Sequence, residues 1–130
     1  MSEVFRTFET GATRDTDDGK LDPEGFLAPA VLERYSQYLH KHRKMRDGSQ
    51  RASDNWQKGL PRSVYMKSLL RHLLAVWLWH RTSKQPEGGI QDALCGVMFN
   101  AMGYLFELLR EGQADDGGEC CQVPGCEHNP

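Results

Sequence analysis

The chain has no long hydrophobic run. Its longest, Leu73 to Trp79, falls far short of the roughly 20 residues a bilayer span needs, so no transmembrane helix is expected. It also has no large excess of either charge. A formal net charge of -2 and a pI near 6.2 give no global positive field of the kind that draws a protein to duplex DNA or a membrane surface. The first 20 residues have no apolar core and are acidic rather than basic at the start, unlike a secretory signal, so a cytoplasmic product is expected. Cysteine is scarce and clustered: Cys95 stands alone, and Cys120, Cys121 and Cys126 crowd the tail. A disulfide framework would be spread through the chain, so reduced thiols fit better.

At 130 residues the chain is long enough for one domain with a core of its own. Residues 1–25 carry no sustained apolar period and contain Gly11, Gly19, Pro23 and Gly25, so they read as an extended arm or loops. Within them Arg14, Asp15 and Lys20 form a short polar segment able to close over a polyphosphate; a solvated lead-in is the alternative. A first helix is expected from about Phe26–Pro29 to His42, with Leu27, Val31, Tyr35, Tyr38, Leu39 and His42 as its buried stripe. Glu33, on another face, is either a solvated charge or a ligand turned toward a site.

Residues 40–51 are basic and end in an Asp-Gly turn signal. They either steer an anion or complement the dipole at the end of the first helix. The stretch from Arg51 to His80 then sets Asp54, Asn55, Trp56 and Lys58 in a polar loop directly before a second helix, expected from about Leu60–Pro61 to Arg81. That helix is apolar nearly all round between Leu69 and Trp79, which places it at the centre of the domain or in a subunit interface. Ser68, Arg71, His72 and Ala75 share one of its faces by helical spacing, and a buried Arg or His there must find a polar partner. A third helix is expected from about Ile90 to Arg110. Leu94, Met98, Ala101, Leu105 and Leu108 form its core face, and Asp92, Gly96, Asn100, Gly103 and Glu107 form a second face open to close approach. Residues 112–130 are polar, acidic and glycine-rich and read as a mobile tail. Their Cys120, Cys121, Cys126 and His128 have zinc-binding atoms without the paired spacing of a zinc finger.

The expected architecture is thus all-α: an arm at 1–25, a helical domain at 26–111 and a tail at 112–130. Association into a dimer or tetramer would cover the second helix.

Three segments, residues 11–43, 51–72 and 92–109, together resemble the phage dATP/dGTP diphosphohydrolases, relatives of the all-α MazG-like nucleotide pyrophosphohydrolases. The resemblance implies an oligomeric MazG-like helical bundle. It also implies metal-dependent hydrolysis of dGTP, and of GTP, to the monophosphate and pyrophosphate, supplying precursor for 2-aminoadenine nucleotides. Such hydrolysis uses Mg²⁺ or Mn²⁺, two or more ions, to neutralise phosphate charge and activate water, and these ions take oxygen ligands. The candidate ligands are Glu33, Asp54 and Asp92. His72 is a candidate base or orienting group, and Arg71 and Lys58, with Arg14 and Lys20, are candidates to hold phosphate oxygens. Trp56 would stack on a purine, and Asn55 and Asn100 would read its edge.

A purine nucleoside triphosphate is therefore the expected partner, beside a second copy of the chain, with no stable nucleic-acid or membrane partner. Two other readings compete: a single-stranded nucleic-acid-binding module using residues 40–51 and Trp56, and a helical interaction protein without pocket chemistry.

Overall fold

The computed structural model describes residues 5–114. The chain divides into a first unit that ends at Arg34 and a second that begins at Tyr35. The first unit opens with a two-stranded antiparallel ribbon, β1 (Phe5–Thr7) paired with β2 (Thr13–Asp15), in the register Phe5↔Asp15 and Thr7↔Thr13. The segment expected to be an arm or loops thus contains local pairing. A single turn of helix, α1 (Pro23–Phe26), follows. Its start is fixed by Asp22, whose Oδ1 accepts a hydrogen bond from the Gly25 N–H at 3.1 Å, and by Pro23, whose missing N–H costs nothing there.

Helix α2 (Pro29–Lys41) begins at a proline and runs across the boundary between the units. Of its expected stripe, Tyr35 and Tyr38 are buried and Leu39 is half-buried, whereas Leu27 and Val31 are exposed. The second unit continues through a hairpin at residues 42–51 and a 3-10 turn (Asn55–Lys58) into α3 (Arg62–Thr82) and α4 (Ile90–Ala114). Among the described residues the architecture is predominantly helical, with the β1–β2 ribbon as its sheet.

α3 follows Pro61, as the sequence led us to expect, and stops at Ser83, which takes a left-handed conformation (φ 64°) while its N–H returns to the Trp79 carbonyl. Two glycines with positive φ, Gly88 and Gly89, turn the chain into α4.

The packing of α4 inverts the expected core face. Leu94, Leu105 and Leu109 are exposed, while Asp92, Ala93, Cys95, Gly96, Asn100 and Gly103 are buried. The cause lies at the two glycines. A Cβ on Gly96 would fall 2.6 Å from His72 Nδ1, and one on Gly103 would overlap the Tyr65 ring. The rings of α3 therefore sit directly on the α4 backbone, and Tyr65 becomes the most buried large side chain, 1% exposed. Phe99 meets Tyr65 edge-on at 6.0 Å, and Tyr35, Tyr38 and Cys95 complete a small core with Met98 and Met102.

The leucine stripes face outward instead. Leu70, Leu73, Leu74 and Trp77 of α3 are all about half exposed, in keeping with the apolar circumference read from the sequence. By length and composition alone, Ile90–Gly112 of α4 is long and apolar enough to cross a membrane, with mean hydropathy 1.2. One face of this helix nevertheless carries Asp92 and Glu107, bonded to Lys41 and Leu60, and the buried Asn100, bonded to the helix's own Gly96 carbonyl.

Candidate functional site

The second unit contains a cleft of about 440 Å³, within the usual range for small-molecule sites. Its floor comes from Tyr38 and Leu39 of α2, Ser68 and His72 of α3, and Phe99 and Asn100 of α4. Its rim comes from the 42–51 hairpin and the loop that follows, which bring His42, Arg43, Lys44, Arg51, Asn55 and Trp56. Among the described residues no aspartate or glutamate lines it.

The loop that presents Asn55 and Trp56 is fastened to the far half of α4. The Leu60 N–H donates to Glu107 Oε2 at 3.2 Å, and Arg110 Nη1 donates to the Gln57 carbonyl at 2.6 Å. Gly59 (φ 118°) makes room for that guanidinium. The Trp56 indole packs edge-on against Phe106 at 4.8 Å and Phe99 at 6.0 Å. It remains half-buried and keeps part of its surface on the cleft, so it both packs and lines.

Two imidazoles line the cleft. His72 rests on Gly96, and burial, followed by the nearby Arg71 charge, lowers its pKa below the usual histidine value. His42 lies against the Tyr38 ring at 4.2 Å. Its pKa is likewise lowered, by burial and then by Lys41, with Asp92 opposing. Both histidines are therefore biased toward the neutral form, the state able to accept a proton.

A second recess of about 390 Å³ shares Tyr38, His42 and His72 with the first. It adds Lys41, Glu87 and Asp92. Asp92, in the first turn of α4, is buried, and its Oδ2 accepts from Lys41 Nζ at 2.5 Å. A cationic cleft and a carboxylate-bearing recess thus meet at the histidines.

The candidate site residues divide sharply on this frame. His72, Asn55, Trp56 and Asn100 come together on the cleft. Asp92 lies in the adjoining recess. Asn100 is buried and donates its amide to the Gly96 carbonyl at 2.7 Å, so its Oδ1 and second N–H are what it offers a ligand. Arg71, expected to be buried, is exposed and donates from Nη2 to Ser68 Oγ at 2.9 Å. It stands one helical step outside the face occupied by Ser68 and His72. Lys58 is exposed on the 3-10 turn and does not line the cleft. Arg14, on β2, Lys20 and Glu33 are exposed and belong to the first unit. Asp54 is exposed at the start of the 3-10 turn.

The three carboxylates named for a metal do not assemble one. Among the described residues no three His, Cys, Asp or Glu side chains are placed to hold an ion, and Asp92 is already neutralised by Lys41. The tail residues Cys120, Cys121, Cys126 and His128 lie outside the described residues.

Three lining residues carry no local signal of that role: His42 reads as core stripe, Glu87 as linker and Phe99 as neither face of its helix. Arg51 closes the basic run that reads as able to steer an anion, and its place has a signal. Asp47-Gly48 flanked by cations on both sides reads as a hairpin turn that returns Arg51 beside Arg43. Comparison of the chain with protein families, curated proteins and solved structures gives no match.

Proposed function

We propose that the protein is a purine nucleoside triphosphate pyrophosphohydrolase, splitting dGTP and GTP into the monophosphate and pyrophosphate. The observation that carries this reading is the cleft lining: the rings of Trp56 and Phe99, the amides of Asn55 and Asn100, the cations Arg43, Lys44 and Arg51, no carboxylate among the described residues, and two neutral-biased imidazoles. Such a lining suits a ligand with a flat heterocycle at one end and several negative charges at the other. The resemblance to the phage diphosphohydrolases points to the same substrates and to 2-aminoadenine precursor supply in the cytoplasm.

In this reading Trp56 and Phe99 bind the purine, and Asn55 and Asn100 address its edge. A site built to hydrogen-bond guanine penalises the wrong base, because its own polar groups are then left unpaired. His72 takes a proton from the attacking water as the α–β phosphoanhydride breaks, and the proton then leaves to solvent. The nucleotide enters as its Mg²⁺ or Mn²⁺ complex, which offsets phosphate charge. Among the described residues no carboxylates form a cage for those ions, so no step is assigned to them.

The same reading includes self-association. The outward stripe of Leu70, Leu73, Leu74 and Trp77 on α3, with Leu94, Leu105 and Leu109 on α4, leaves more apolar surface than isolated helical hairpins tolerate, and an identical stripe on a second copy is its natural cover.

The test is to incubate the full chain with each of the eight common NTPs and dNTPs, with Mg²⁺ or Mn²⁺, and resolve products by chromatography. Turnover of guanine nucleotides with release of pyrophosphate supports the proposal. Salt-dependent capture of single-stranded DNA without turnover would instead support a binding module.

A further inference from the structure

We propose that the hairpin at residues 42–51 is the polyphosphate subsite of the cleft, with Arg43, Lys44 and Arg51 holding the outer phosphates of a nucleotide whose base lies toward Trp56. This rests on the nucleotide reading above and deepens it.

The hairpin is an ordered element. The Met45 N–H donates to the Ser49 carbonyl at 2.8 Å, the Arg51 N–H to the Arg43 carbonyl at 2.9 Å, and Arg43 Nε to the Arg51 carbonyl at 2.7 Å. Its only carboxylate, Asp47, is spent within its own turn, accepting from the Ser49 N–H at 3.0 Å and Ser49 Oγ at 2.6 Å. Asp47 does not reach the cleft lining, whereas Arg43, Lys44 and Arg51 all do. None of these three cations is ion-paired among the described residues.

Like charges gathered in one cleft lining, without a counter-ion, repel one another until an anion arrives between them. The bland alternative, cations complementing the dipole at the end of α2, accounts for His40 and Lys41 in its last turn. It does not account for Arg43, Lys44 and Arg51, which lie beyond the helix and are organised by hairpin bonds instead. Their chemistry also fits. Two guanidinium forks match phosphate oxygens bidentately, and an ammonium adds a point charge. The same cleft lining includes Trp56 and Phe99, the aromatic surfaces a base would need.

The experiment is calorimetric titration of the full chain with three probes: a non-hydrolysable α,β-methylene analogue of dGTP, inorganic tripolyphosphate and deoxyguanosine. Lys44→Ala and Arg51→Ala remove subsite charges, and Arg46→Ala removes a hairpin cation that does not line the cleft. We expect Lys44→Ala and Arg51→Ala each to weaken the analogue and tripolyphosphate at least tenfold, with deoxyguanosine unchanged and Arg46→Ala like the parent. Parent-like binding of both phosphate probes by Lys44→Ala and Arg51→Ala, in a protein that still hydrolyses dGTP, would overturn the subsite and leave the nucleotide reading standing. Tripolyphosphate binding that is lost in those variants, in a parent that binds neither the analogue nor deoxyguanosine, would keep the anion subsite and overturn the nucleotide reading. Failure of the parent to bind any of the three would overturn both.

Discussion

His72 of α3 lies directly on Gly96 of α4, so closely that the single carbon of an alanine at 96 would fall 2.6 Å from its Nδ1. The position of the imidazole in the cleft is therefore set by the absence of a side chain on the neighbouring helix. Gly96→Ala must displace the ring or separate the helices. Overpacking of this kind costs about 1–3 kcal/mol, and we expect a lowered melting temperature together with at least a tenfold loss in kcat/KM. A Gly96→Ala protein with parental stability and turnover would show that His72 does not occupy this position in the folded protein.

Both cleft histidines have pKa values depressed in the folded chain, first by burial. The unfolded chain binds these protons more readily, so the stability they contribute is present above the unfolded value of about 6.5 and is lost as pH falls through the folded values. Melting temperature should decline from pH 7 toward pH 5, and His72→Gln should flatten part of that decline. If His72 accepts the proton in turnover, kcat/KM should also fall on the acid side, with a midpoint below 6.5. A pH–stability curve identical in the parent and in His72→Gln would contradict the assignment.

Lys41 is half exposed, but the Asp92 carboxylate that it neutralises is buried, with 10% of its side chain accessible. Lys41→Met would leave that carboxylate without its cation. Discounted for the solvent that reaches Lys41, the loss should be about 1–3 kcal/mol in urea unfolding. Asp92→Asn should restore much of it in the double variant. Equal and additive losses would mean that the pair contributes through packing alone.

The helices were legible in the sequence because their period and punctuation are local: Pro29, Pro61 and the Gly88-Gly89 pair bound α2, α3 and α4 close to where composition put them. The buried face of α4 was misread because leucine weighs more than glycine in any hydrophobic pattern. What decided the face was Gly96 and Gly103 admitting His72 and Tyr65, a contact between helices that no single-helix period encodes. The site was legible in part. Asn55, Trp56, His72 and Asn100 do converge on one cleft. Arg71 was misplaced by one helical step, since sharing a face with His72 within the accuracy of a 3.6-residue repeat did not amount to sharing its burial. The ion pair that takes up Asp92 joins residues 51 positions apart and had no local signature.

Leu70 and Trp77 lie two turns apart on the exposed side of α3, 55% and 56% accessible. Replacing both with glutamate would place charge at the centre of the proposed contact between copies. Light scattering should report a dimer or tetramer for the parent at micromolar concentration and a smaller species for Leu70→Glu/Trp77→Glu. A parent that is strictly monomeric would remove self-association from the account.

The central claim is tested most directly by following dGTP with Mg²⁺ and the full chain by phosphorus NMR. The account predicts that the three triphosphate resonances give way to those of dGMP and pyrophosphate, without orthophosphate, and that His72→Gln slows this conversion at least tenfold. Unchanged dGTP, or products in which orthophosphate appears with dGDP, would contradict it.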